Sequence, residues 1–197
     1  MSKLQKYREK RKSDSTPEPM SDGKTEDEKE PIFVIQEHDA STRHWDFRLQ
    51  VDGVLKSWAV PKGPSTDPRE KRLAVRTEDH PLDYADFEGT IPEDNYGAGS
   101  VIVWDRGSYQ HRTEKDGEKL SFDEADKKGH ISVTLQGEKL QGGYELIKMK
   151  GERWDDNQWL LKKTDDEEAD ARRRPTSTQP ESVLSGRTVE DVSEEDE

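Results

Sequence analysis

The chain has no cysteine. That excludes disulfides, thiolate nucleophiles and cysteine-ligated zinc, and it leaves histidine and carboxylate as the available metal-binding chemistry. It also fits a reducing compartment. Apolar residues are scarce: 27% of the chain is hydrophobic and 7% aromatic, against 39% charged, where about 45–50% apolar is usual. No stretch approaches the roughly 20 apolar residues of a membrane helix, and the opening MSKLQKYREKRKS lacks the apolar run of a secretory signal. No membrane contact is expected, and the expected location is cytoplasmic. Cations are outnumbered, with 32 Lys and Arg against 45 Asp and Glu and a net charge of −13. Global charge therefore offers no attraction to polyanions, so any phosphate binding must rest on a local basic site.

What apolar content exists is concentrated. All five Trp and all four Phe lie between Phe33 and Trp159. This divides the chain into a basic and then flexible N-terminal segment (1–30), one folded domain (31–164) and an acidic tail (165–197) expected to be disordered. Short β-branched and alternating runs predict strands from Phe33, at His44–Val51, Val54–Val60, Leu73–Thr77, Ser100–Asp105, His130–Leu135, Gly143–Met149 and Gln158–Lys163. Asp52-Gly53 between two such runs predicts a tight hairpin, because both turn positions need positive φ. Ser121 with Glu124 three residues on predicts the start of a short helix over Phe122–Lys128. Many short strands and little helix predict a mainly β domain, a small barrel or a sandwich.

The chemistry concentrates in HDASTRHWDFRL, His38 to Leu49. Alternation in a strand puts His44, Asp46 and Arg48 on one face, about 7 Å apart, and Trp45, Phe47 and Leu49 on the other. With His38 folded back as a third ligand, two imidazoles and a carboxylate make a divalent-metal site that leaves positions open. Arg48 beside it suits bidentate phosphate recognition. The competing reading is a solvated polar face with an Asp46–Arg48 ion pair. His80, in EDHPLDY, is either a turn residue or a proton or hydrogen-bond donor. Tyr84 either bonds a phosphate oxygen or fills the core. Single cations such as Lys62, Arg72 and Arg76 serve solubility as readily as binding. NYGAGS lacks the Lys-Ser/Thr ending of a phosphate loop and reads as a turn.

The runs HDASTRHWDFRLQVDGVLKSWAVPKGPS, RLAVRTEDHPLDYADFEGTIPEDNYGAGSVIVWDRG and GGYELIKM closely resemble the 3′-phosphoesterase domain of bacterial DNA ligase D, over nearly all of Ile32 to Lys163. The resemblance implies a compact β-barrel with short flanking helices. It implies removal of a 3′-phosphate from DNA or RNA ends, together with resection of a terminal 3′-ribonucleoside, to leave 3′-OH. Manganese is the implied metal, on His38, His44 and Asp46. Arg48, His80 and Tyr84 carry over as phosphate-contacting and catalytic residues, and Lys62 and Arg72 as cations near the phosphate. The N-terminal LQKYREKRKSDSTPEP is similar too: Arg11 and Glu18 match, whereas Lys12 stands where many relatives have Asp in the segment linked with nucleoside resection. No ligase or polymerase domain is present in the sequence, so the expected partners are DNA or RNA 3′ ends and separate sealing proteins, with action at the nucleoid. The alternatives are a non-catalytic end-binding repair module and a metallophosphatase for small metabolites.

Overall fold

The computed structural model of the protein describes residues 3–11, 15–20 and 30–196. Eleven strands follow in chain order: β1 (Ile32–Asp39), β2 (Arg43–Val51), β3 (Val54–Val60), β4 (Lys71–Pro81), β5 (Gly89–Ile91), β6 (Gly99–His111), β7 (Glu114–Lys115), β8 (Glu118–Lys119), β9 (His130–Gly137), β10 (Gln141–Lys148) and β11 (Gln158–Lys163). Four short helices accompany them: α1 (Gln5–Glu9), α2 (Phe122–Lys128), α3 (Pro175–Thr178) and α4 (Val189–Glu195). A 3₁₀ turn covers Leu82–Asp86.

The sheet runs β1-β2-β3-β4-β11-β10-β9-β6, and β6 pairs back onto β1. The result is a closed antiparallel barrel of eight strands with no free edge, which resolves the choice between barrel and sandwich. Closure is set locally by tight turns. Asp52 and Gly53 have φ of 49° and 80°, so Val51 pairs with Val54 and the register of β2 on β3 follows. Helix α2 starts where its capping residue predicts, with the Ser121 side chain accepting from the Glu124 N–H and Gly129 closing it in the left-handed region at φ 76°.

Two apolar layers share the wall of the barrel. Phe33, Ile35, Trp45, Phe47, Leu49, Trp58 and Val60 fill the interior with residues from the other strands. Val34, Leu55, Val101 and Val103 point outward and are covered by Tyr7, Leu82, Tyr84, Phe87 and Ile91. The face of β2 that carries His44, Asp46 and Arg48 is thus the outer wall, roofed by the N-terminal segment and the 3₁₀ turn.

The disordered tail expected over 165–197 is corrected by the fold. Thr66 and Asp170 exchange hydrogen bonds, the Trp104 indole N–H donates to the Gln179 carbonyl at 2.9 Å, and the Val183 N–H donates to Val103. α4, closed by a Thr188–Asp191 capping box, buries Val189 and Val192 against Ile102. Most residues there are polar, but a few apolar anchors at the right spacing suffice when the backbone finds partners on the barrel. Gly63, at φ 72°, lets the tail close in: a Cβ there would lie 2.7 Å from the Thr176 side chain and 3.0 Å from Trp45. In the N-terminal segment the basic stretch forms α1, and Leu4 and Tyr7 are buried against the barrel. Lys12 and residues 21–29 lie outside the described residues.

One consequence is measurable. Glu37 points to the side of β1 opposite His38 and is buried, and its Oε2 has no hydrogen-bond partner. Burial raises its carboxyl to about 7, with Arg43, 3.7 Å away, only partly offsetting. The folded state then holds a proton that the unfolded chain releases near pH 4.5. The associated stability is fully present below about 4.5 and is lost as pH rises through about 7. After allowance for solvent screening around the half-exposed Arg43, the loss is on the order of 2 kcal/mol. Denaturant titrations at pH 5 and pH 8 should show this slope in the parent and a flatter one in Glu37→Gln. An unchanged slope in Glu37→Gln would assign it to another group.

Candidate metal and phosphate site

The β1–β2 hairpin places the three expected ligands. His38 and His44 are direct cross-strand partners, and Asp46 lies two residues on, opposite Gln36. His44 Nε2 is 3.2 Å and His38 Nδ1 3.8 Å from Asp46 Oδ2, and the three side chains offer ligand atoms all within 4.8 Å of one another. His44 Nδ1 is 2.9 Å from the Thr42 carbonyl. That bond fixes Nδ1 as a donor and turns Nε2 toward Asp46, where it donates while the imidazole is protonated and would offer its lone pair to a cation once that proton is lost. His38 Nε2 is buried without a partner. The donor set therefore fits a divalent transition metal.

Charge is organised around Asp46. Its burial favours the neutral carboxyl, but Arg48 and hydrogen bonds from His38 and His44 outweigh that and hold it well below the usual carboxylate range. His44 is drawn upward: burial favours its neutral form, and the bond to Asp46 more than reverses this. Arg48 is 2% exposed and is gripped by three strands. Its Nε donates to Gln36 at 2.7 Å, Nη1 donates to Ser57 at 2.9 Å, and Nη2 lies 3.3 Å from Asp46. Three of its five N–H groups are used by these contacts, so the fork is fixed while two remain for an oxyanion.

The roof supplies the rest. Arg11 Nε donates to Glu18 at 2.8 Å and Nη1 to Glu78 at 3.0 Å. The Tyr84 hydroxyl donates to Glu18 at 2.8 Å, and burial together with Glu18 pushes its phenol well above the usual range. His80 sits inside β4, edge-on to Tyr7 and Tyr84 with ring centroids 4.9 and 4.8 Å away. Its Nδ1 faces the Glu78 carbonyl at 2.9 Å and its Nε2 faces Arg11 at 3.3 Å. Burial, Arg48 and Arg11 hold its pKa well below the usual value. His80 is therefore neutral, with Nδ1 donating and Nε2 accepting. It is neither the turn residue nor the resting proton donor that its sequence context allows.

These groups surround one cavity of about 190 Å³, lined by His38, His44, Asp46, Arg48, His80, Tyr84, Arg11 and Glu18. Eight of the ten expected site residues meet there. Lys62 and Arg72 do not line it. Lys62 is exposed in the turn after β3, and Arg72 pairs with Glu70 at the far end of β4, roughly 25 Å along the strand from His80. Gln36, Ser57 and Glu78 are site residues that the motif does not announce. Two had a signal: Gln36 shares alternation with His38, and the Asp52-Gly53 turn fixes Ser57 opposite Arg48.

Three side chains that could hold a cation beside an immobilised guanidinium, on the wall of a small β-barrel, make a site suited to phosphoryl groups. The model of the DNA ligase D 3′-phosphoesterase domain matches residues 36–148, more than half of the chain. The chain is 50% identical over 191 residues to the multifunctional non-homologous end joining protein LigD of Pseudomonas aeruginosa, covering 94% of this chain and 22% of that protein. It is 47% identical over 152 residues to the multifunctional non-homologous end joining DNA repair protein LigD of Mycobacterium tuberculosis, covering 77% of this chain and 19% of that one. The LigD of Mycolicibacterium smegmatis is likewise 47% identical over 152 residues, which is 77% of this chain and 20% of that protein. The chain belongs to the DNA ligase D 3′-phosphoesterase domain family, and it spans about a fifth of the length of these curated relatives. Among the described residues no helix is long and apolar enough to cross a membrane.

Proposed function

We infer that the protein hydrolyses the phosphate from 3′-phosphorylated DNA or RNA ends and leaves 3′-OH. The observation that carries this is the convergence of the His38–His44–Asp46 donor set and Arg48 in one cavity of about 190 Å³. A divalent ion, with Mn²⁺ the expected one, would be held by His38, His44 and Asp46 and would supply Lewis acidity at the phosphoryl group when bound.

The protein's own groups do the remainder. Arg48 clamps a non-bridging oxygen with its two remaining N–H groups, and its bonds to Gln36 and Ser57 keep it from relaxing toward Asp46. Water attacks phosphorus, the bond to the sugar O3′ breaks, and that oxygen takes a proton. His80 is assigned a catalytic part beside Arg11. An incoming phosphate dianion offsets the two guanidiniums that, with burial, keep the imidazole neutral, so substrate binding lets His80 take a proton from solvent and pass it to the departing O3′. Resection of a terminal ribonucleoside, in which water attacks phosphorus and the nucleoside O5′ leaves with a proton, is assigned to Arg11 and Glu18, held over the cavity. The names of the relatives, non-homologous end joining proteins, support placing this healing step in end joining.

The test is phosphate release from an oligonucleotide bearing a 3′-phosphate. We expect release with Mn²⁺, none with a strong chelator, and little from small phosphate monoesters. Arg48→Lys should lower kcat/KM on the order of 10²-fold, since an ammonium cannot reproduce the two-pronged contact. Equal turnover of small monoesters would favour a metabolite phosphatase. End binding without release would make this a recruitment module.

A further inference from the structure

Beyond the cavity, the surface of this acidic chain carries a hollow with five lysines and, in the same wall, Asp155 and Asp156. Lys115 from β7, Lys127 and Lys128 from the last turn of α2, and Lys148 and Lys150 at the end of β10 surround an opening of about 700 Å³. Trp154 lies in its wall and is partly exposed. Two of the lysines have acidic neighbours: Lys127 with Asp123 at 2.9 Å and Lys148 with Asp156 at 3.1 Å. Lys115, Lys128 and Lys150 have no carboxylate in ion-pair range among the described residues. Lys115 and Lys128 instead crowd each other, which pulls the Lys115 ammonium downward. Two like charges held together on an exposed surface are relieved by an anion that bridges them.

The hollow is connected to the catalytic cavity. A trough between α1 and α2 shares Thr77 and Glu78 with that cavity and Lys127 and Lys148 with the hollow. The route crosses from β2 over β3, β4 and β11 to β10, neighbours in the sheet. Four inter-strand spacings amount to about 19 Å. Successive phosphates of an extended single strand lie about 6 Å apart, wider than the axial rise of a duplex, so that distance is roughly three nucleotides.

We propose that this lysine hollow binds the substrate's own strand about three nucleotides upstream of the 3′ end, with Lys115, Lys128 and Lys150 on phosphates and a base stacked on Trp154. The proposal rests on the 3′-end reading for its polarity. Phosphate spacing supplies the charge match, and the exposed indole supplies the π-face that sequence-independent strand binding uses.

The experiment compares a 3-nucleotide and a 12-nucleotide 3′-phosphate oligonucleotide as substrates for the full chain and for Lys115→Ala/Lys128→Ala/Lys150→Ala. All three positions are exposed, so the fold should be kept. We expect KM for the 12-mer to rise roughly tenfold with kcat unchanged, and both constants to stay at parental values for the 3-mer. The salt dependence of 12-mer affinity, read by fluorescence anisotropy, should lose about two units of slope. Trp154→Ala should weaken the 12-mer about fivefold or more with the slope retained. An unaltered 12-mer KM and slope in the triple variant, or equal losses for both lengths, would overturn the proposal. If the parent releases phosphate from neither oligonucleotide, the 3′-end reading fails, and the anisotropy comparison still decides whether the hollow holds a strand.

Discussion

Asp46→Asn is expected to abolish high-affinity cation binding and to lower turnover of a 3′-phosphate by roughly three orders of magnitude or more, about 4 kcal/mol of barrier. Asp46 serves three partners at once: it faces both imidazoles and lies 3.3 Å from Arg48. The asparagine keeps the shape but loses the anionic oxygen, so the histidines lose their third ligand and Arg48 loses its counter-charge. Asp46→Ala should be worse, because a buried guanidinium short of one partner costs about 3–5 kcal/mol of stability. The comparison therefore separates chemistry from folding. Titration calorimetry with Mn²⁺, alongside thermal unfolding, reads the two effects independently. Normal cation affinity in Asp46→Asn would remove Asp46 from the ligand set, and full activity in strong chelator would end the metal model.

Truncation after Lys163 is expected to destabilise the barrel. The removed segment covers Ile102 with Val189 and Val192, bonds the indole of Trp104, and accepts from Lys139 through the Gln179 carbonyl at 2.8 Å. Burying two valines is worth about 1.5–3 kcal/mol each, and ordering the segment returns part of that. A net loss of about 3 kcal/mol corresponds to a melting temperature lowered by roughly 10 °C at this length. The effect should reach the site, because Glu190 in α4 holds Arg43, the neighbour of His44, at 2.7 Å. Glu190→Gln in the full chain should weaken cation binding with little change in melting temperature. A truncated chain with parental melting would show the tail to be an ornament on the surface.

The barrel was legible because its local signals agree. Alternation along His44–Val51, the positive-φ pair Asp52-Gly53 and the Ser121 cap each point to the element that forms. The metal triad was legible for the same reason, since strand alternation alone puts Asp46 and Trp45 on opposite faces. Three things were not. Strand ends were read short, because β4 continues through a register shift opposite Lys56 that carries Glu78 and His80 to the cavity, and a bulge leaves no mark in composition. The tail reads as disordered when averaged, because the average dilutes Val189 and Val192 among acids. The neutral state of His80 depends on Arg11, 69 residues away in sequence, and no local pattern encodes that.

The hairpin between β1 and β2 has an evolutionary consequence. His38 and His44 face each other because the connection holds three residues, 40–42, and Asp39 pairs with Arg43. One added or deleted residue in β2 after Arg43 would exchange the two faces of that strand. Trp45 and Phe47 would then face the cation pocket, and two ligands would be sealed inside the barrel. The number of residues from Arg43 to Asp46 sets the face on which Asp46 emerges, so length matters more there than the side chains at Ser41 and Thr42. Insertions should therefore be rarer there than at the exposed Asp116-Gly117 turn between β7 and β8, where nothing but two short strands depends on the count.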